Sequence, residues 1–219
     1  MTVSEGRRTT GETLGAGPLL QGTAFILRQG MVRAVAYVQV INENEAEGPL
    51  FQIYDEVQRS RGRISNILSV ESLNPKGLKA HLDLYMTLQF GKSPLSRRER
   101  EIVAIVVSKA NDCGYCVTHH AEALDKYVKD PKWMRRMVED PASVDLSDRE
   151  QALVAFARGL TLEPAKGRKE AVEGLRAAGF DDVGIVHATE VVAYFNFVNR
   201  LASGLGVELE QDEERDYEY

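Results

Sequence analysis

Capped segments with a helical spacing of apolar residues most strongly restrict the fold of this chain. Pro49 opens one of them, and its apolar residues recur at i, i+3, i+4 and i+7. Asn74 and Pro75 form a cap and a first-turn proline before a second segment, which Gly91 ends. A long third segment runs from about residue 181 to 202. With no βαβ unit and no glycine-rich phosphate loop, the pattern predicts an all-α helical bundle.

A capping box marks the start of a further helix. Ser96 and Glu99 have the spacing at which each side chain bonds the backbone of the other, which predicts a helix from Arg97 to about Ala110. The apolar, β-branched run 102–107 could also form a buried strand, but the cap and the lack of a comparable run nearby favour a helix. Because this run offers more apolar surface than a helical monomer of this size would readily cover, we expect a homo-oligomer.

A weak internal repeat follows 51 residues later. Leu146-Ser147-Asp148-Arg149-Glu150 restates Leu95-Ser96-Arg97-Arg98-Glu99, cap included. The second copy places Ala152 where the first has Glu101, and it holds no cysteine. Its expected role is structural.

Charge is concentrated at one end of the chain. Of 33 acidic and 27 basic residues, seven acids and one base fall in residues 208–219, so the remainder is neutral. No basic patch is evident, which argues against nucleic acid as a partner. We expect an irregular extension over residues 1–30, a single all-α domain over 31–206, and a solvated acidic tail over 207–219, with a partner-binding tail as the alternative.

No apolar run approaches the roughly 20 residues that a bilayer span needs, and the first residues lack the basic-then-apolar pattern of a signal peptide. We therefore expect a soluble cytoplasmic protein with no membrane partner.

Both cysteines lie in one Cys113-Gly114-Tyr115-Cys116 unit. A close pair in a cytoplasmic protein indicates redox or metal chemistry rather than a disulfide framework. If Asn111-Asp112 ends one helix and caps the next, Cys113, Cys116 and His120 share a helical face at i, i+3 and i+7. The helix N-terminus and the imidazole would both favour a thiolate there.

A carboxylate partner for His120 follows from counting residues in the predicted hairpin. If the two helices run antiparallel, a residue ten before the turn lies level with one about nine after it, so Glu101 faces His120. A carboxylate there would orient the imidazole and complete a relay of carboxylate, base and nucleophile. Glu99 is the alternative acid, but its capping position already employs it.

The spacing of Glu101, Cys113-x-x-Cys116 and His120 resembles the Glu/CxxC/His signature of the alkyl hydroperoxidase D-like, carboxymuconolactone decarboxylase superfamily. The resemblance covers about residues 31–206 and implies an all-α homo-oligomer with peroxidase activity that needs no haem, flavin or metal. Tyr115 departs from the alkyl hydroperoxidase D proteins, which have a histidine there, so their proton relay does not carry over whole. The flanking sequence is similar to that of the peroxidase-related branch at Leu95-Ser96, Arg98-Glu99, Ser108, Asn111, Tyr115-Cys116, His120-Ala121 and Asn196-Phe197-Val198-Asn199-Arg200-Leu201.

We therefore expect a thiol-dependent peroxidase for organic hydroperoxides or hydrogen peroxide, without a cofactor or metal, whose catalytic residues are Cys116, Cys113, His120 and Glu101. An external dithiol, of a lipoyl or thioredoxin-like protein, would regenerate it. Cys116 is expected to attack and Cys113 to resolve, although the helix terminus could reverse these roles. The alternatives are a non-enzymatic protein that binds metal or senses redox state with the same cluster, and a lactone decarboxylase.

The remaining histidines and aromatic residues have more ordinary interpretations. His119 lies about 100° around the helix from His120, so joining it to a four-ligand zinc site would require unwinding. It is expected to be partly exposed or to support the site. His81 lies on an apolar helical face and is expected to be a core histidine. Tyr194, Phe195 and Phe197 could line a hydroperoxide pocket, but their helical spacing favours the core.

Overall fold

A computed structural model describes residues 35–211, and within this range all regular structure is helical, which confirms the predicted all-α fold. The expected extension over residues 1–30 lies outside the described residues, as do residues 212–219 of the acidic segment. The α-helices are α1 (Gly48–Arg61), α2 (Asn66–Ser69), α3 (Pro75–Tyr85), α4 (Arg97–Ala110), α5 (Gly114–Val128), α6 (Pro131–Glu139), α7 (Asp148–Leu162), α8 (Arg168–Ala177) and α9 (Asp182–Leu205).

Helix α4 lies at the centre of the main core, against α5, α7 and α9. Its capping box forms as predicted, with the Ser96 hydroxyl accepting from the Glu99 amide at 3.2 Å and the Glu99 carboxylate accepting from the Ser96 amide at 2.7 Å. Every residue from 102 to 107 is buried, as expected of a helix that is apolar all round. The surface argument for an oligomer is therefore wrong, because the chain covers this run itself; oligomerisation stays a prediction.

Two salt bridges join the repeated capping boxes. Ser147 and Glu150 form the second box at the start of α7. The guanidinium of Arg98 donates to Glu150 at 2.7 Å, and that of Arg149 donates to Glu99 at 2.7 Å. Each copy of the repeat thus supplies an arginine to the capping glutamate of the other, which joins the N-terminal ends of α4 and α7.

The turn between α4 and α5 differs in detail from the expectation. Asn111 ends α4, and Asp112 adopts a left-handed conformation with φ of +54°, which Asp tolerates better than most residues. The N-cap of α5 is Cys113 itself, with φ of −94° and ψ of 87°. The two cysteines are therefore a cap and a first-turn residue rather than two members of one helical face.

Helices α3 and α9 border the region that holds the cysteines. The Asn74 side chain accepts from the Gly77 amide at 3.2 Å and so caps α3, as predicted. A π-helical turn, Met86–Phe90, continues α3 until Gly91 ends it. At the start of α9, Asp181 accepts from the Gly184 amide at 2.8 Å. None of the helices within residues 35–211 has the length and apolar character that would let it span a bilayer.

Candidate active site

The two cysteines are reduced and buried at the start of α5. Hydrogen bonds from the thiol and backbone amide of Cys116 lower the pKa of Cys113 to about 7, although burial opposes this. The same side-chain hydrogen bond, together with burial, raises the pKa of Cys116. The resting thiolate is thus favoured on Cys113, with the proton of the pair on Cys116.

Polar side chains from α4 and α9 surround Cys116. Asn199 and Ser108 both hydrogen-bond to this thiol and oppose the rise in its pKa. The two residues are themselves joined by a bond of 3.0 Å between the Asn199 amide and the Ser108 hydroxyl, and the Asn111 amide donates to Asn199 at 3.0 Å. Ser108 and Asn199 lie in segments whose sequence is similar to the peroxidase-related branch.

Glu101 and His120 meet across the α4–α5 hairpin as predicted. The Nδ1 atom of His120 lies 2.6 Å from Oε2 of Glu101, and the other carboxylate oxygen accepts from Nε of Arg97 at 2.6 Å. Burial of Glu101 is complete and acts to raise its pKa, but the neighbouring imidazole and guanidinium lower the pKa below its usual value. A charged carboxylate therefore fixes the His120 ring and leaves Nε2 for other partners.

One cavity brings Cys116 and His120 together. Its volume is about 70 Å³, and it opens to solvent. Of the two cysteines, both within the described part of the chain, Cys116 alone lines it. The lining comes from α1, α2, α3, α5, α9 and the α1–α2 connection, and comprises Arg61, Ser65, Ile67, Leu68, His81, Tyr85, Tyr115, Cys116, His119, His120, Tyr194, Phe195 and Val198.

His119 is buried against the acidic segment, which corrects the expectation for part of that segment. Its Nε2 atom lies 2.8 Å from a carboxylate oxygen of Glu210, whose other oxygen accepts from the Tyr115 hydroxyl at 2.9 Å and the Asn66 amide at 2.6 Å. His119 is buried rather than partly exposed, so the part of its expectation that remains is support of the site. The expectation of a solvated tail is wrong at Glu210, which finds three donors. Its pKa, which burial would raise, is lowered to about 2, chiefly by His119.

A second glutamate–histidine pair was not identified from the sequence. His81 is buried, as expected of a core histidine, but it also lines the cavity. Its Nδ1 atom bonds Glu71, and its Nε2 atom lies 2.9 Å from the hydroxyl of Tyr194. The polar partners of both ring nitrogens identify this pair in the structure. The local periodicity of the sequence does not predict such partners.

The cysteines and histidines are not arranged as a closed metal centre. Among residues 35–211, the His, Cys, Asp and Glu side chains form no group of three or more that could hold a metal ion. His119, one of the four nominal ligands, is directed to Glu210 instead.

Replacing Glu210 by glutamine is expected to lower the free energy of unfolding by about 1 to 3 kcal/mol at pH 7, because buried donors lose a charged acceptor. The pKa of Glu210 falls from a usual 4.5 to about 2 on folding. The contribution of the ionised Glu210 to the free energy of unfolding is therefore complete above about pH 4.5 and is lost as the pH falls towards 2. Urea unfolding of both proteins at pH 7 and at about pH 3 should show the difference shrinking.

The matched control is Glu190→Gln, which removes an exposed carboxylate from α9. It should change the unfolding free energy by less than about 0.5 kcal/mol. An equal effect of the two substitutions at pH 7 would contradict the stabilising role of Glu210.

Comparison with known proteins shows which families and solved structures this chain resembles. A model of the Carboxymuconolactone decarboxylase family matches residues 75–159, which include the Glu101–His120 hairpin. A peroxidase-related protein from Silicibacter sp. TM1040 superposes with a TM-score of 0.74 and 28% identity, covering 85% of this chain and 98% of that one. A peroxidase-related protein from Ralstonia eutropha JMP134, described as an alkylhydroperoxidase AhpD core, gives 0.75 and 25%, covering 83% and 95%.

A curated relative is much longer. Sestrin-1 of Macaca fascicularis is 22% identical over 184 residues, which are 83% of this chain and 36% of that protein. The chain therefore spans about a third of the length of this relative.

The helical bundle is shared with two solved peroxidase-related proteins, one of which is described as an alkylhydroperoxidase AhpD core. The family match includes the Glu101–His120 hairpin. The chain is therefore similar to the alkyl hydroperoxidase D-like, carboxymuconolactone decarboxylase superfamily in its fold and over residues 75–159 of its sequence.

Proposed function

We propose that the protein is a thiol-dependent peroxidase that reduces organic hydroperoxides, or hydrogen peroxide, through Cys116 and Cys113. The observation that carries this proposal is that one cavity holds the Cys116 thiol and an imidazole anchored to a buried carboxylate. Apolar side chains such as Ile67, Leu68 and Phe195 line the same cavity, which favours substrates with an organic group over hydrogen peroxide.

The first step is proton removal from Cys116. Since Nδ1 of His120 bonds Glu101, Nε2 is the nitrogen that accepts this proton. The Cys116 thiolate attacks the terminal oxygen of ROOH, the O–O bond breaks, and ROH leaves after the alkoxide takes a proton. Sulfur is oxidised to a sulfenic acid as the peroxide is reduced.

Cys113 resolves the sulfenic acid. Its lowered pKa supplies a thiolate next to Cys116, and attack on that sulfur releases water and forms the Cys113–Cys116 disulfide. An external dithiol, carried by a lipoyl or thioredoxin-like protein, then reduces the disulfide by exchange. The cytoplasmic location and the homo-oligomer stay predictions.

A thiol count tests the proposed function. One equivalent of cumene hydroperoxide should remove both free thiols from the reduced protein, since each turnover closes one disulfide. The same protein given cumyl alcohol, which lacks the O–O bond, should keep both.

Elemental analysis of the same sample separates the alternatives. Two retained thiols with bound zinc would favour the non-enzymatic metal-binding protein. Two retained thiols without metal would leave the lactone decarboxylase, whose chemistry has no evident need for the cysteine pair.

A further inference from the structure

Reduction of a hydroperoxide requires two proton movements, and the proposed mechanism assigns only one of them to a residue. The Glu101–His120 pair removes the thiol proton, but an alkoxide is a poor leaving group until it is protonated. The leaving oxygen therefore needs a proton donor on the cavity wall, which is either the His120 imidazolium or a separate side chain.

Tyr194 occupies that wall with its hydroxyl held by the second glutamate–histidine pair. The residue is buried and lines the cavity together with Cys116. His81 bridges Glu71 and the phenol oxygen, with an Nε2 to oxygen distance of 2.9 Å. When both ring nitrogens of His81 carry protons, one bonds Glu71 and the other bonds the Tyr194 oxygen, so the Tyr194 hydrogen is available to the cavity.

Aromatic contacts fix the position of this hydroxyl. The Tyr194 ring stacks on Tyr85 with centroids 5.8 Å apart and meets Phe195 edge-on at 5.1 Å. Phe195 in turn meets the His120 ring at 4.6 Å. The rings of Tyr194 and His120 therefore contact the same phenylalanine, which sets the two polar groups on neighbouring parts of one wall.

Resting on the proposed function, we infer that Tyr194 is a catalytic acid that protonates the leaving alkoxide, with His81 and Glu71 as its positioning residues.

The step balances as follows. The S–O bond to Cys116 forms, the O–O bond breaks, and the electron pair of that bond moves to the RO oxygen. Tyr194 gives its proton to this oxygen, so ROH leaves, and the phenolate takes the Nε2 proton of His81. Solvent restores the proton to His81, and His120 releases the proton that it took from Cys116. The overall reaction is RSH plus ROOH giving RSOH plus ROH.

The electrostatics agree with a donor that keeps its proton until the transition state. Burial raises the pKa of Tyr194, and its neighbours Tyr85, Cys116 and Glu71 raise it further. The phenol is therefore neutral at pH 7.

The test compares two oxidants with different leaving groups. Cumene hydroperoxide leaves as an alkoxide, which needs a proton, whereas peroxybenzoic acid leaves as a carboxylate, which does not. We expect Tyr194→Phe to slow thiol oxidation by cumene hydroperoxide by about 10- to 100-fold and to leave the rate with peroxybenzoic acid unchanged. His81→Asn should shift the ratio of the two rates in the same direction.

A matched control is Tyr54→Phe, which removes a buried hydroxyl that donates to the Ile41 carbonyl at 3.0 Å, away from this cavity. Its two rates should equal those of the wild type. Equal slowing of both oxidants by Tyr194→Phe would reveal a structural role and overturn the inference, as would unchanged rates with both.

Two further outcomes keep the test decisive. A wild-type protein that reacts with neither oxidant would overturn the proposed function and, with it, this role of Tyr194. If Tyr194→Phe does not fold, a series of alkyl hydroperoxides and peracids on the wild type replaces it. A weak dependence of rate on leaving-group basicity supports the internal acid, and a steep dependence overturns it.

Discussion

A Cys116→Ser variant is expected to lose the reaction with cumene hydroperoxide, whereas Cys113→Ser should react once and stop as a sulfenic acid. Cys116 lines the cavity with His120, and serine cannot form the sulfur–oxygen bond. In Cys113→Ser a neutral hydroxyl replaces the Cys113 thiolate whose hydrogen bond contributes most to the raised pKa of Cys116, so the remaining thiol is easier to ionise. A dimedone-type label read by mass spectrometry should mark Cys116 in this variant.

The opposite pattern of labelling would reverse the roles of the two cysteines. The lowered pKa of Cys113 makes it the alternative nucleophile. Label on Cys113 in Cys116→Ser, with none on Cys116 in Cys113→Ser, would assign the attack to the helix-capping cysteine and resolution to Cys116.

Glu101→Gln is expected to slow peroxide consumption by about one to three orders of magnitude, the range for loss of a positioned acid–base partner. Glutamine keeps the size of the side chain but removes the charge that holds His120 at 2.6 Å. Initial rates with cumene hydroperoxide, measured over a pH series, would record the loss.

Glu99→Gln is the matched control, because its carboxylate serves the capping box and Arg149 rather than the cavity. Glutamine preserves the cap, so the rate should equal that of the wild type. A wild-type rate in Glu101→Gln would remove this carboxylate from the reaction, and a slow Glu99→Gln would restore the alternative acid. Thermal unfolding of both variants would identify any loss of the folded state.

Local signals explain what could be predicted from the sequence. The boundaries of α4 follow from the Ser96–Glu99 spacing and from the polar residues after Ala110. The contact between Glu101 and His120 follows from the same boundaries, because a tight antiparallel hairpin leaves little freedom of register.

The features that were missed join residues that lie far apart in the chain. His81 and Tyr194 are separated by 113 positions, and His119 and Glu210 by 91. Helical periodicity identifies the buried face of each helix, but not which faces meet or where they leave a cavity. Similarly, the average charge of an acidic segment describes its solvation and does not show that Glu210 finds three donors.

The docking of Glu210 has a practical consequence for anyone who prepares this protein. A chain shortened ahead of that residue would keep every helix from α1 to α9, and its far-UV circular dichroism would be nearly unchanged. His119 and Tyr115 would nevertheless lose a shared acceptor on the wall of the cavity. Samples that differ only in C-terminal trimming by a contaminating protease would then give the same circular dichroism spectrum but different turnover rates. The intact mass of each sample therefore needs to be measured together with its rate.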